Sequence, residues 1–206
     1  MAEKDDRPGL ILASGSRTRR EMLQAAGLAF TVVPADIDEA ALRAQLLSAK
    51  PGISPAEIAE ELARAKAETV SRDHPHALVI GCDQVLALDG EIFSKPSDLA
   101  DARECLMKLR GVEHELHSAA ALAVNAVVSW SHTDTARLTM RAFSSAAVDE
   151  YLARDGVDVC RSVGAYQIEG HAIQLFEKVD GDYFTILGVP LLPLLAELRA
   201  RKVLVV

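Results

Sequence analysis

The stretch Ala77-Leu-Val-Ile-Gly-Cys-Asp83 constrains this chain more than any other. Its apolar and small residues run on without a polar face, so a half-solvated strand does not suit them. They fit a central strand covered on both sides, as in an α/β sheet. A carboxylate follows the run directly. In open α/β sheets ligands collect outside the carboxyl ends of strands, so Asp83 is a candidate metal ligand or base; an Asp capping the next turn is the alternative.

The flanking pattern supports the same class. Gly9 to Ala13 reads as a short buried strand, Ser14-Gly15-Ser16 as a turn, and Arg17 to Ala26 as a helix with Met22, Leu23 and Ala26 inward. Phe30 to Pro34 is a second strand candidate, leading through Asp36, Asp38 and Glu39 into a helix from Ala40 to Ser48. The spacing predicts a helix from Pro55 to Arg72, with Ile58, Leu62, Ala65 and Thr69 on the apolar stripe and Glu57, Glu61, Arg64 and Glu68 on another face as ion pairs. Asp89-Gly90 marks a tight hairpin with Glu91 to Phe93 as its return. A helix from Ser97 to Leu109 precedes strands Glu115 to Asn125 and Val127 to Arg141, read as an antiparallel pair. Helix Ser145 to Ala153, a hairpin near Asp180-Gly181 and a helix from Pro190 to Lys202 complete the reading.

Half of the 206 residues are hydrophobic, enough to bury one sizeable core or two lobes sharing a cleft. The net charge of −8 repels phosphodiester polymers and anionic membranes, so a phosphate site requires a local basic cluster. Cys82, Cys105 and Cys160 show no metal-ligand spacing and give no basis for a disulfide framework. The opening MAEKDDRPGL is acidic where a signal peptide is basic, and its apolar run is short. A cytoplasmic protein, not membrane-bound, is expected.

One cluster meets the phosphate requirement. Ser14-Gly-Ser-Arg-Thr-Arg-Arg20 puts three guanidinium groups at a helix start, where the macrodipole already favours anions. Cations are misplaced there unless a multi-oxygen anion docks among backbone N–H groups, hydroxyls and arginines. The alternative is a solvated helix start closed by a Thr18–Glu21 capping box. Glu39 could add an oxygen ligand for Mg²⁺ or Mn²⁺, though an acidic loop alone more often means solvated surface. Lys66, at the margin of its helix's apolar stripe, could deliver an ammonium to a cleft or merely snorkel along the core edge. Pro96 holds Lys95 extended after the hairpin, offering a second lysine near Asp83.

The strings LILASGSRTRREML, ELARAKAE, VIGCDQVLALDGEIFSKPSD, LRG followed by HELHSA, and GAYQIEGHAIQLFEKVDGDYFTILGVPLLPLL together resemble the Maf family of nucleoside triphosphate pyrophosphatases, in that family's order and over nearly the whole chain. The resemblance implies a single domain over residues 1–206. It further implies an elongated mixed β-sheet flanked by helices, related to house-cleaning pyrophosphatases, with two lobes around a central cleft, and commonly a homodimer. In its terms Ser14, Ser16, Arg19 and Arg20 match the phosphate-binding start, Lys66 and Lys95 the cleft lysines, Asp83 the proton acceptor, and Glu39 an acidic residue that helps to hold the metal (Mg²⁺, Mn²⁺ or Co²⁺). The chain departs from the pattern in having Arg17 where the family usually has Pro, and Thr18 where Arg or Trp is usual. Gln84, in place of Thr, and Glu169-Gly170, in place of Gln-Gly, resemble the 7-methyl-GTP group over the dTTP/UTP group. Thr18 removes an expected stacking surface.

The expected chemistry is attack of water at the α-phosphorus with departure of pyrophosphate. Asp83 serves as base or metal ligand, and Arg19, Arg20, Lys66 and Lys95 stabilise the charge on the β- and γ-oxygens. No Ser-His-Asp, Cys-His or P-loop pattern is present. The competing reading is a nucleotide- or nucleic-acid-binding regulator of cell division without catalysis, which the acidic net charge opposes.

Overall fold

The computed structural model of the protein describes residues 9–204. The acidic opening segment, on which the expectation about a signal peptide rests, lies outside them except for its last two residues. Among the described residues no helix is long and apolar enough to cross a membrane.

The apolar run opens strand β3 (Leu78–Leu88), which does not end at Asp83 as the sequence suggested. The ladder beyond the carboxylate comes from β5 (Glu113–Val124), which pairs antiparallel with β3 from Val79 to Ala87. The opposite edge of β3 is divided. Its start pairs in parallel with β1 (Leu10–Leu12) over Leu78–Ile80, and its end pairs antiparallel with β4 (Glu91–Phe93) over Leu86–Leu88. Asp83 therefore lies in a gap in the sheet, beyond the carboxyl end of β1 and short of β4. β2 (Thr31–Val32), β6 (Val127–Met140) and β7 (Phe176–Asp180) complete the sheet, ordered β2-β1-β3-β5-β6-β7 with β4 beside β3.

Two hairpins have the predicted places. Asp89 and Gly90 both take positive φ (50° and 84°), as do Asn125 and Ala126 between β5 and β6 (49° and 60°), the conformation a two-residue turn requires. The hairpin expected at Asp180-Gly181 does not form. Gly181 leads instead into a short helix, α6 (Tyr183–Ile186), capped by the Asp182 side chain. The glycine is needed because a Cβ there would lie 2.6 Å from Ala136 Cβ on β6.

Helix α3 (Pro55–Asp73) covers one face of the sheet; Ser54 and Glu57 close a capping box at its start. Its buried side is rotated from the expected stripe: Ala65 and Thr69 are half-buried, while Ala59, Ala63, Lys66 and Ala67 face inward with Ile58 and Leu62. The alanines allow the helix backbone to approach Gly81 closely, and Lys66 consequently sits within the buried stripe, not at its margin.

The other face carries two apolar clusters. Leu78, Ile80 and Cys82 pack with Met22 and Leu23 of α1 (Arg17–Ala25) and with Leu191, Leu194 and Leu198 of α7 (Leu191–Ala200). Leu86 and Leu116 pack with Leu106 and Leu109 of α4 (Leu99–Leu109) and Val148 and Tyr151 of α5 (Ser145–Asp155). The cross-strand pair Gln84–Ser118 lies between the two sets on β3 and β5. Two lobes are thus joined by one continuous strand pair. Residues between α5 and β7, which lack clear periodicity in sequence, include two 3-10 segments, Gly156–Arg161 and His171–Leu175.

His114 in the second cluster gives a pH dependence. It is 1% exposed, Nε2 lies 2.9 Å from the Tyr166 hydroxyl, and Nδ1 has no partner among the described residues. Burial pushes its pKa down to about 4. The unfolded chain therefore takes up a proton as pH falls below about 6.5 that the folded chain refuses until about 4, and stability is lost across that window, by about 3 kcal/mol in full. His114→Phe is expected to remove this contribution to the slope while leaving the Tyr166 hydroxyl unpaired at every pH; urea unfolding at several pH values between 4 and 7 measures both effects.

Candidate active site

The gap in the β3 edge is a meeting point for five elements. From α3, Lys66 places Nζ 2.6 Å from Asp83 Oδ1 and 2.8 Å from Glu39 Oε1. Glu39 opens α2 (Glu39–Ala49), directly after its cap Asp38, so helix initiation fixes where this carboxylate points. Lys66 and Asp83 are 7% and 5% exposed, whereas the Glu39 side chain keeps 48% of its surface. One buried ammonium is shared by one buried and one open carboxylate.

The surroundings move these carboxyl groups apart. Burial pushes Asp83 upward, opposed by Lys66 and Arg19, and the net direction is up. Desolvation also pushes Glu39 upward, but hydrogen bonding and charge from Lys66, with Lys95 and Arg19, outweigh it and the net direction is down. Such a split separates two acids in one corner: the raised group holds a proton more readily, and the lowered one keeps its charge to lower pH. Lys95 follows β4 across the gap; desolvation and then the like charge of Arg19 hold its pKa down.

At the start of α1 the cap is Ser16, whose Oγ accepts the Arg19 backbone N–H at 3.3 Å, so the Thr18–Glu21 capping box does not form. The expected triple guanidinium cluster is also divided. Arg17 turns outward to Glu21 at 2.7 Å, because an exposed partner one turn along gives it a neighbour that the helix start does not. Arg19 turns inward: Nε donates to Gly188 O at 3.0 Å, and Nη1 to Cys82 O at 2.9 Å and to Ser14 Oγ at 3.3 Å. The Cys82 carbonyl adjoins Asp83 in the unpaired edge, so Arg19 takes the place of a missing strand. Arg20 is exposed, with no side-chain hydrogen-bond partner among the described residues. Arg43, one turn after Glu39 on α2, reaches Ser94 Oγ at 3.4 Å beside Lys95 and adds a cation to the rim.

On the other face a small, solvent-open pocket of about 50 Å³ is lined by Thr18, Gln84, Tyr166, Ile168, Glu169 and Leu187, among others. Thr18, Gln84 and Glu169 are far apart in sequence, and the structure brings all three to this pocket. The two N–H groups of Gln84 Nε2 are shared among Ile186 O at 2.9 Å, Ser118 Oγ at 3.0 Å and, as a longer contact, Thr185 O at 3.2 Å. Ser118, Thr185, Gly188 and Arg43 were not singled out in sequence. Arg43 had a usable signal in its spacing of four from Glu39, and Ser118 in being polar on an otherwise apolar strand face. Gly188 had none beyond its turn context.

No group of three or more His, Cys, Asp or Glu able to hold a metal occurs among the described residues. The Glu39–Asp83 pair nonetheless fits Mg²⁺ or a similar hard cation, which one or two carboxylates bind together with substrate phosphates.

Fold and site define an α/β protein whose central strand carries a charged corner on one face and a small open pocket on the other. Residues 9–201 match the family model described as Maf-like protein, and the chain belongs to that family. It is 53% identical to the 7-methyl-GTP pyrophosphatase of Mesorhizobium japonicum over 92% of this chain and 94% of that one. It is 52% identical to the 7-methyl-GTP pyrophosphatase of Rhizobium johnstonii, over 93% and 96%. To the nucleoside triphosphate pyrophosphatase of Rhodopseudomonas palustris strain HaA2 it is 47% identical, over 96% of each. Among solved structures it is similar to a HAM1 protein from Coxiella burnetii at 15% identity and a TM-score of 0.45, over 66% of this chain and 75% of that one.

Proposed function

We propose that this chain is a cytoplasmic nucleoside triphosphate pyrophosphatase, one domain over residues 1–206, that hydrolyses a triphosphate to the monophosphate and pyrophosphate and favours 7-methyl-GTP over dTTP and UTP. The observation that carries the reading is Lys66 Nζ at 2.6 Å from Asp83 and 2.8 Å from Glu39, in a sheet gap bordered by Arg19 and Lys95. Three cations against two carboxylates leave that corner attractive to a polyanion despite the acidic net charge. The names of the relatives support the same reaction.

In this reading water attacks the α-phosphorus, its oxygen forming the new bond while the α–β anhydride bond breaks and the electron pair leaves on pyrophosphate. Asp83 takes the proton from that water, a task suited to a carboxylate whose basicity burial has increased. Lys66 neutralises Asp83 before the reaction and passes its charge to the phosphates as they arrive. Ser14, Ser16, Arg19, Arg20 and Lys95 hold the β- and γ-oxygens, which is electrostatic positioning without a covalent intermediate. Glu39 and the substrate phosphates would hold a divalent cation, with Asp83 as a ligand only in place of its role as base, and the cation would supply charge neutralisation on the phosphate oxygens.

Base choice falls to the pocket of Thr18, Gln84 and Glu169. The Glu169 carboxylate has no side-chain partner among the described residues. It complements the positive charge that methylation places on the guanine ring. The test is pyrophosphate release from dTTP, UTP, 5-methyl-UTP, CTP, GTP and 7-methyl-GTP with Mg²⁺, Mn²⁺ or Co²⁺. The expected result is metal-dependent release, highest for 7-methyl-GTP; no release from any member would remove the proposal.

A further inference from the structure

The short helix α6 leaves its last carbonyl groups without intrahelical partners, as every helix does. At the exit turn Thr185 O already accepts the Gly188 N–H at 3.0 Å, and side chains of the site converge on the same turn. Thr185 O accepts from Ser118 Oγ at 2.7 Å and from Gln84 Nε2 at 3.2 Å, Ile186 O accepts from Gln84 Nε2 at 2.9 Å, and Gly188 O accepts from Arg19 Nε at 3.0 Å. One turn of chain thus holds a residue from the base side and a residue from the phosphate side.

Each contact has a directional consequence. Two carbonyl oxygens beside Gln84 admit only the N–H end of its amide, since the reverse orientation would set Oε1 against them. Ser118 is fully buried, and because its proton goes to Thr185 O, its lone pairs face Gln84 Nε2. The amide is fixed, and Oε1 is left as the end available to the pocket. On the other side, Gly188 has φ +103°, and a Cβ added there would lie 3.1 Å from Arg19 Nε and 3.4 Å from Nη2. Any side chain at this position presses on the guanidinium that reaches Ser14 and the Cys82 carbonyl.

We propose that the exit turn of α6 is a positioning element for both halves of the substrate, acting through two residues with no substrate contact of their own: Ser118, which fixes Gln84 for base choice, and Gly188, which gives Arg19 the room to hold its place. The proposal rests on the pyrophosphatase reading. A displacement of about 1 Å at a positioning group costs on the order of 100-fold in rate, whereas a pocket contact alters base discrimination by about 10-fold or somewhat more.

The test is a double-mutant cycle on pyrophosphate release with the full triphosphate panel. Gly188→Ala, whose Cβ obliges Arg19 to yield by well under 1 Å and whose φ of +103° adds backbone strain, is expected to lower kcat/KM by about 10-fold for all substrates alike in the wild-type background. It should cost less than about 3-fold in the Arg19→Lys background, with the same loss of thermal stability in both, since coupled sites are non-additive. An equal loss of kcat/KM in the two backgrounds would show an effect on folding alone and overturn the role of Gly188. Ser118→Ala, which removes one hydroxyl, is expected to reduce the preference between 7-methyl-GTP and UTP by about 10-fold while kcat for the better substrate changes little. Unchanged preference overturns that arm, also where Gly188→Ala does not fold. Wild-type protein inactive on every triphosphate would overturn the function and this inference together, whereas active wild type with additive variants would overturn the inference alone.

Discussion

Asp83→Asn is expected to lower kcat for pyrophosphate release by between about 100-fold and 10,000-fold, the range typical of removing a general base. The substitution conserves shape, and the amide oxygen can still accept from Lys66 Nζ, now 2.6 Å from Oδ1. It removes the negative charge that matches a buried ammonium, leaving the open Glu39 as the neighbouring counter-charge. Some stability is lost with it, because breaking a buried pair leaves a charge less well compensated. A pH profile separates this from loss of the base. Burial raises the Asp83 carboxyl, so the reactive ionised form is lost as pH falls through a value above the ordinary carboxylate range. The acid limb of kcat/KM therefore lies above that range in the wild type and is absent from the residual activity of Asp83→Asn. Steady-state kinetics across pH, with circular dichroism to confirm the fold, measures both parts. Full turnover in the variant would remove Asp83 from the mechanism, as base and as metal ligand.

The second large effect is on folding. A Cβ at Gly81 would lie 2.1 Å from Ala63 O, 2.7 Å from Ala67 N and 2.9 Å from Ala67 Cβ. Two of the three atoms are backbone of α3, so no side chain can turn aside, and the helix must move from the sheet. Gly81→Ala is expected to destabilise by at least about 3 kcal/mol, a large part of the total stability of a domain this size. The same movement would carry Lys66 away from Asp83, so protein that does fold should also lose turnover. Gly90→Ala provides the comparison. A Cβ there meets nothing within 4 Å, and φ of +84° makes backbone strain the main cost, about 1 kcal/mol. Thermal or urea unfolding of the two variants side by side checks the difference.

The contrast between these glycines also shows what the sequence could reveal. Gly90 follows Asp89 in a turn signal that is read locally, and the hairpin is where it was expected. Gly81 in the apolar run marks a close approach by another backbone, but which backbone depends on a helix earlier in the chain. The candidate residues Ser14, Arg19, Glu39, Lys66, Asp83 and Lys95 were legible through residue chemistry at element boundaries and through the family resemblance. Their arrangement was not. Asp83 appeared to end its strand because the apolar run ends there, yet β5 continues the ladder while β1 stops, and only pairing distant in sequence makes the gap. Lys66 appeared marginal because periodicity weighs hydrophobicity, whereas the alanine ridge of α3 was selected by proximity to Gly81. Arg17 looked like its two arginine neighbours until helix geometry sent it outward to Glu21.

In the proposed reaction water attacks the α-phosphorus beside Asp83. The most direct test is hydrolysis of the best triphosphate in ¹⁸O-labelled water, with mass analysis of both products. Attack at the α-phosphorus puts one labelled oxygen in the nucleoside monophosphate and none in the pyrophosphate. Label in pyrophosphate, or orthophosphate as the inorganic product, would place the attack at the β- or γ-phosphorus and rule this reaction out.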